Sequence, residues 1–97
     1  MIHELLLHGG TNAIPAADIA RQVGMSERRV RKIVETERLA GAVILTGDGG
    51  YFLPDEDPAI AQWEIQGWMA QRTAAVGTML KTVEMARKSL PYHDGQP

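Results

Sequence analysis

The sequence predicts a mainly α-helical domain with a small β-hairpin, followed by a long C-terminal helix. Three observations support this fold class. Apolar residues recur at helical spacing on both sides of Gly24, the spacing becomes that of extended chain after Gly41, and no proline follows Pro58 until residue 91. The chain is expected to divide into three parts: a domain over residues 1–54, a long helix over residues 55–90 and a flexible tail over residues 91–97.

The first two helices are bounded by residues that start or stop a helix. We expect the first to run from Ile2 to about His8 and to end at Gly9-Gly10, because glycine readily adopts the left-handed conformation that terminates helices. The second begins at Pro15, since the first turn of a helix does not need the N–H that proline lacks, and it ends at Gly24.

The third helix begins directly after the turn at Gly24. Ser26 is a favoured N-cap because its hydroxyl accepts a hydrogen bond from an amide of the first turn. One face of this helix is apolar, with Val30, Ile33 and Val34, and the opposite face carries Arg28, Arg31, Lys32 and Glu35. Two short helices joined by a glycine turn have the outline of a helix-turn-helix, whose second helix enters a DNA groove.

The segment after Gly41 predicts a β-hairpin and then the long helix. Residues 43–46 and 51–53 have strand composition and flank the turn Gly47-Asp48-Gly49-Gly50. A helix of about 30 residues beginning at Pro58 is roughly 45 Å long, which exceeds the diameter of so small a domain. Part of it is therefore expected to project.

Composition excludes several classes of function. The chain has no cysteine, so it forms neither a disulfide nor a thiolate site, and no apolar run approaches the ~18 residues of a membrane span. The N-terminus does not resemble a secretory leader, which favours a cytoplasmic protein. His3 and His8 do not share a helix face, and no catalytic grouping stands out, so we expect no metal, no cofactor and no enzymatic activity.

Charge is distributed unevenly, although the formal net charge is only -2. Residues 1–40 hold six Lys/Arg against five Asp/Glu, whereas residues 41–97 hold four against seven. The cations are therefore concentrated near the third helix, and an acidic C-terminal arm would be kept away from DNA.

A five-residue motif surrounds the turn: a small residue where the helices cross, a glycine, and apolar residues on either side, namely Ala20, Gly24, Met25, Val30 and Ile33. With the hairpin segments 41–44 and 49–54, this motif resembles the winged helix-turn-helix domains of bacterial and phage regulators, in particular the type at the N-terminus of biotin protein ligases. The resemblance implies that the third helix reads the major groove. Members of that family often carry Lys or Arg at the wing tip, where this chain has Asp48, and the ligase catalytic domain is absent.

Five residues are expected to bind duplex DNA. We assign Arg28, Arg31 and Lys32 to base edges, and Ser26 and Arg29 to phosphates. The alternative is a solvated face on which charged side chains such as Arg31 and Glu35 pair with each other. Further candidate contacts lie in the loop and the wing: Thr11, Asn12, Thr46 and Tyr51.

The long helix is expected to form a homodimer through an apolar stripe: Ile65, Trp68, Met69, Val76, Leu80 and Val83. Trp63 and Trp68 lie on different sides of this helix, and at least one should anchor it, either to its own domain or to a second subunit. The alternatives to a dimer are packing within the monomer and binding of a larger protein.

These observations together predict a sequence-specific duplex DNA-binding protein, specifically a small bacterial or prophage transcriptional regulator. Two alternatives remain open. One is a protein-interaction adaptor built on a winged-helix scaffold, and the other is a recombination or excision accessory protein that uses the same DNA contacts and bends DNA.

Overall fold

The computed structural model describes residues 1–89. That range contains three α-helices and one antiparallel hairpin, in the order α1 (Ala16–Val23), α2 (Glu27–Leu39), β1 (Leu45–Gly47), β2 (Gly50–Phe52) and α3 (Pro58–Lys88). A mainly helical chain with a small hairpin and a long C-terminal helix is thereby confirmed. The expected tail over residues 91–97 lies outside the described residues. None of the described helices has the length and apolar character needed to cross a membrane.

The helix expected over residues 2–8 was wrong. Only a single 3-10 turn forms, at His3–Leu5, and the chain then becomes extended. The carbonyl of Leu7 accepts a hydrogen bond from the amide of Leu53 at 2.8 Å, and the carbonyl of Leu53 accepts one from the amide of Gly9 at 2.8 Å. Because these backbone groups pair with the chain just beyond β2, they are not available for a helix.

The turn between α1 and α2 follows the sequence closely. Helix α1 ends at Gly24, which adopts the left-handed conformation with φ 71° and ψ 37°. Two residues later, the hydroxyl of Ser26 caps α2 by accepting a hydrogen bond from the amide of Arg29 at 3.2 Å. The expected helix end and the expected N-cap are both confirmed.

The β1–β2 hairpin is shorter than expected, and a third segment of the chain, at Ile14, pairs with β2. Ile14 lies beside Tyr51, and each of the two amides donates to the other residue's carbonyl at 2.9 Å. Gly50 has a φ of 123°, and a Cβ atom there would lie 2.2 Å from the Ile14 carbonyl oxygen, so this close approach requires glycine. The strands pair in the register Leu45 with Phe52, Thr46 with Tyr51 and Gly47 with Gly50.

The hydrophobic core is formed by α1, α2, the hairpin and the N-terminal segment. Its buried residues are Ile2, Leu6, Ile19, Ala20, Val30, Val34, Ile44 and Tyr51. Helix α3 contributes no buried residue, and its chain is exposed throughout residues 69–89. It begins at Pro58 as expected, has Asp57 as its N-cap, and continues without a break through Gly67 and Gly77. The second half of α3 therefore projects from the domain.

Candidate nucleic-acid interface

The candidate interface is the cationic surface of α2, defined by Arg28, Arg29, Arg31 and Lys32, all of which are exposed. The orientation of α2 is fixed by Val30 and Val34, which are fully buried on the opposite side. At about 100° per residue, Arg28 and Lys32 lie roughly 160° around the helix from Val30. Burial of the valines thus directs these two cations away from the core.

Most of these cations have no anionic partner. Within residues 1–89, Arg28, Arg29 and Lys32 form no ion pair, and Arg31 approaches only Glu27, at 3.7 Å. Both side chains of that pair are more than half exposed, so the contact contributes about 0.3–0.5 kcal/mol. The pair expected between Arg31 and Glu35 under the alternative does not form. The cationic surface is therefore available to a polyanion.

Arg31 differs from its neighbours in position. It lines an open cleft between α2, the hairpin tip and α3, together with Asp48, Trp63 and Gln71. Arg28 and Lys32 do not line this cleft. Arg31 is thus at the flank of the cationic surface, beside the acidic tip of the hairpin.

Arg38 connects α2 to the hairpin, and its side chain is only 11% exposed. Its Nε donates to the carbonyl oxygen of Ile44 at 2.8 Å, and one terminal nitrogen donates to Thr46 Oγ1 at 2.8 Å. The other terminal nitrogen donates to Glu35 Oε1 at 2.6 Å. The first two of these hydrogen bonds hold the hairpin against α2, and the position of Arg38 in the last turn also complements the helix dipole.

Trp68 of α3 lies close to two guanidinium groups. Its ring centroid is 5.0 Å from the Arg38 guanidinium carbon and 4.8 Å from that of Arg72. Arg72 also donates to Glu35 Oε1 at 3.2 Å, so that one carboxylate joins both arginines. We refer to Glu35, Arg38, Trp68 and Arg72 as the arginine cluster. The expectation that one tryptophan anchors the long helix is confirmed for Trp68, while Trp63 is 76% exposed.

The arginine cluster also lowers the pKa of its acid, Glu35. The hydrogen bond from Arg38 lowers the pKa of Glu35, partial burial opposes this effect, and the hydrogen bond from Arg72 lowers the pKa further. A second contact between α3 and the domain is made by Glu64. Its carboxylate accepts hydrogen bonds from the backbone amides of Gly10 at 2.9 Å and Asp55 at 2.8 Å. The first half of α3 is therefore held against the domain at two places.

Sequence reasoning missed most of the arginine cluster. Glu35 and Arg38 are three residues apart, a spacing at which side chains on a helix pair, so this half was detectable. No pattern in the chain links Glu35 to Arg72, which lies 37 residues further on.

The candidate DNA contacts in the loop and the wing lie in different environments. Thr11 and Asn12 are exposed in a 3-10 turn, where the side-chain amide of Asn12 donates to the backbone carbonyl of His8 at 2.8 Å. Thr46 is exposed, and its hydroxyl is bonded to Arg38. Tyr51 is only 9% exposed and packs in the core, so we leave it out of the interface proposed below.

The residues expected to form a dimer interface fall into two groups. Ile65 and Trp68 are half-buried within the chain itself. The other members are all more than half exposed: Met69, Val76, Leu80 and Val83. Intramolecular packing therefore involves only the first group.

Comparison with known proteins gave no match to a family model, a curated protein or a solved structure.

Proposed function

We propose that the protein binds duplex DNA in a sequence-specific manner, with α1 and α2 acting as a helix-turn-helix and the β1–β2 hairpin as its wing. The role that fits this activity is that of a small bacterial or prophage transcriptional regulator. One observation carries the proposal: the cationic surface of α2 is exposed, directed away from the core, and largely without anionic partners in residues 1–89.

Four cations of α2 lie within five consecutive positions, residues 28–32. Such a group repels itself unless anions neutralise it, and the nearby acids supply only the weak Glu27 contact to Arg31. The phosphates of duplex DNA provide closely spaced negative charge, and binding releases condensed counterions. DNA is thus the partner that matches both the sign and the density of this surface.

The proposed contacts differ along the helix. Arg28 and Lys32, which point away from the core, are assigned to base edges in the major groove, with Arg31 beside them at the flank. Arg29 and Ser26 are assigned to phosphates, since the N-terminus of a helix attracts anions. Asp48 at the hairpin tip would face repulsion from a phosphate, so the wing is proposed to contribute little affinity.

The test uses selection from a random duplex library followed by fluorescence anisotropy on the selected sequence. The double substitution R28A/K32A is expected to weaken binding by at least about thirtyfold, since each contact contributes about 1–3 kcal/mol. It should also relax the sequence preference at the base pairs that these side chains contact, whereas Arg29→Ala, which removes a proposed phosphate contact, should reduce the slope of log affinity against log salt by about 1. The matched control is R87A/K88A, which removes the same charge from the far end of α3 and should leave affinity unchanged.

The proposal fails if both double variants bind equally well, or if selection enriches no sequence. Enrichment without salt dependence would also contradict it, because phosphate contacts make affinity fall steeply with salt.

A protein-interaction adaptor is the second candidate, favoured by the exposed apolar side chains of α3, including Met79 at 65% and Leu80 at 64%. In that case the apolar helix would bind a larger protein, and binding would respond little to salt. The recombination or excision alternative shares the DNA contacts of α2 and is separated from simple regulation by a DNA-bending assay.

A further inference from the structure

The projecting half of α3 has a row of residues with a regular period, the heptad stripe, which shares Met69, Val76 and Val83 with the apolar stripe predicted from the sequence. Successive members are alternately three and four residues apart: Met69, Arg72, Val76, Met79, Val83 and Ala86. This is the spacing of a heptad repeat, with Met69, Val76 and Val83 at one core position (a) and the others at the second core position (d). The four large apolar members are more than half exposed: Met69, Val76, Met79 and Val83.

After Arg72, no member of this stripe from Val76 to Ala86 is charged. Lys81, Glu84 and Lys88 lie on the outer face of the helix, and Glu84 pairs with Lys88 at 3.8 Å. Arg72 occupies a core position but is bound to Glu35 within its own chain. The stripe is therefore uncharged from Val76 to Ala86, and two copies of it can meet without repulsion.

We propose that the stripe binds a second copy of this chain, so that the two α3 helices form a parallel, two-stranded coiled coil over residues 73–89. Valine at both of the first core positions in this range favours two strands over three or four in a parallel coiled coil. In that arrangement Arg87 of one chain faces Thr82 of the second copy, so no like charges are opposed. Both domains then lie at the same end of the coiled coil.

The size of the stripe sets the expected strength of pairing. From Met69 to Ala86 it extends about 26 Å, on a helix roughly 10 Å wide. Two such faces cover roughly 500 Å² in total, which is below the about 1,200–2,000 Å² of a standard specific interface, so the pairing is weak. The pair should accordingly dissociate on dilution through the micromolar range.

Sedimentation equilibrium on the full chain tests the pairing. The wild type should be a concentration-dependent dimer, and Val83→Glu, which places a charge in the seam, should raise the dissociation constant by at least about tenfold. The matched control is Met85→Glu, which makes the same charge change two residues away at an exposed position off the stripe, and it should dimerise like the wild type. The free energy of unfolding of the domain, measured at a concentration at which the chain is monomeric, should be unchanged in both, because residues 73–89 contribute nothing to its core.

A cysteine test reports the orientation, since the chain has no cysteine of its own. In a parallel pair, Val83→Cys places two sulfurs within disulfide distance, so oxidation should link two chains at least about tenfold faster than in Met85→Cys. Equal rates in the two variants overturn the parallel arrangement.

Other results overturn the pairing itself. A wild type that remains monomeric throughout the micromolar range does so, as does a dimer that Val83→Glu and Met85→Glu weaken equally. DNA binding is measured separately on the same samples, so a monomer that binds DNA contradicts only this inference. A dimer that does not bind DNA contradicts only the proposed function.

Discussion

The guanidinium carbon of Arg38 lies 5.0 Å from the centroid of the Trp68 ring, and this contact joins α2 to α3. The same guanidinium donates to the carbonyl of Ile44 and to Thr46, so it also holds the start of the hairpin. Helix α3 has no buried residue of its own. Its orientation relative to the cationic surface therefore depends on polar and cation–π contacts and on the partial burial of Ile65 and Trp68.

Removing Arg38 should destabilise the domain. In Arg38→Ala the carbonyl of Ile44 loses its donor in a buried position and Trp68 loses a cation over its ring. We expect the free energy of unfolding to fall by about 2–3 kcal/mol, measured by urea denaturation. The control is Arg28→Ala, an exposed arginine without an ion pair in the described chain, which should change the free energy by less than about 0.5 kcal/mol. Similar losses in the two variants would show that Arg38 is not a structural link.

The two tryptophans should respond differently to substitution. Trp68→Ala removes the ring that Arg38 and Arg72 both contact, so we expect faster amide hydrogen exchange in the first half of α3 and a loss of about 1–2 kcal/mol in stability. Trp63→Ala removes a side chain that is 76% exposed and should leave both measurements close to those of the wild type. The interpretation is contradicted if Trp63→Ala is the more damaging change.

Glycine should be required at the hairpin for a reason beyond its φ angle. Gly50→Ala meets the Ile14 carbonyl oxygen at 2.2 Å as well as the strain of a positive φ, so we expect a loss of more than about 3 kcal/mol in thermal or urea unfolding. Gly24→Ala has a positive φ but no atom within 4 Å of the new Cβ, and should cost only about 1 kcal/mol. Equal costs would mean that backbone strain alone accounts for both.

The helix boundaries were predictable because their signals are local. Gly24 stops α1 through its own backbone conformation, Ser26 caps α2 three residues before the amide it binds, and Pro58 suits a first turn. The exposure of Arg28 and Lys32 was predictable for the same reason, since the spacing of Val30 and Val34 determines which side of α2 is buried.

Elements that depend on distant partners could not be predicted. Residues 2–8 have helical composition, but hydrogen bonds to Leu53 hold the end of this segment extended. The link between Glu35 and Arg72 joins positions 37 residues apart, and although Arg72 interrupts the apolar stripe of α3, nothing in the sequence identifies Glu35 as its partner. The candidate site was therefore recognisable as a helix face, whereas the contacts that hold α3 beside it were not.

Glu37 joins residues 1–3 to α2 through hydrogen bonds, and these hydrogen bonds lower its pKa. Its carboxylate accepts hydrogen bonds from the Met1 amino group at 2.6 Å and the Ile2 amide at 3.1 Å, and lies 2.6 Å from His3 Nδ1. Burial acts to raise the pKa of Glu37, but hydrogen bonds from the Met1 amino group and from His3 outweigh it and lower the pKa to about 2.

The depressed pKa predicts a specific dependence of stability on pH. A carboxyl whose pKa is lower in the folded state binds protons more readily when unfolded, so its stabilisation is complete above its ordinary pKa of 4.5 and is lost as pH falls toward about 2. Glu37→Gln should therefore cost about 1–3 kcal/mol near neutral pH and flatten the loss of stability in that acid range. The measurement is urea denaturation at a series of pH values, with Glu84→Gln in the projecting part of α3 as the control. A wild-type acid profile retained in Glu37→Gln would assign the acid sensitivity to other carboxylates.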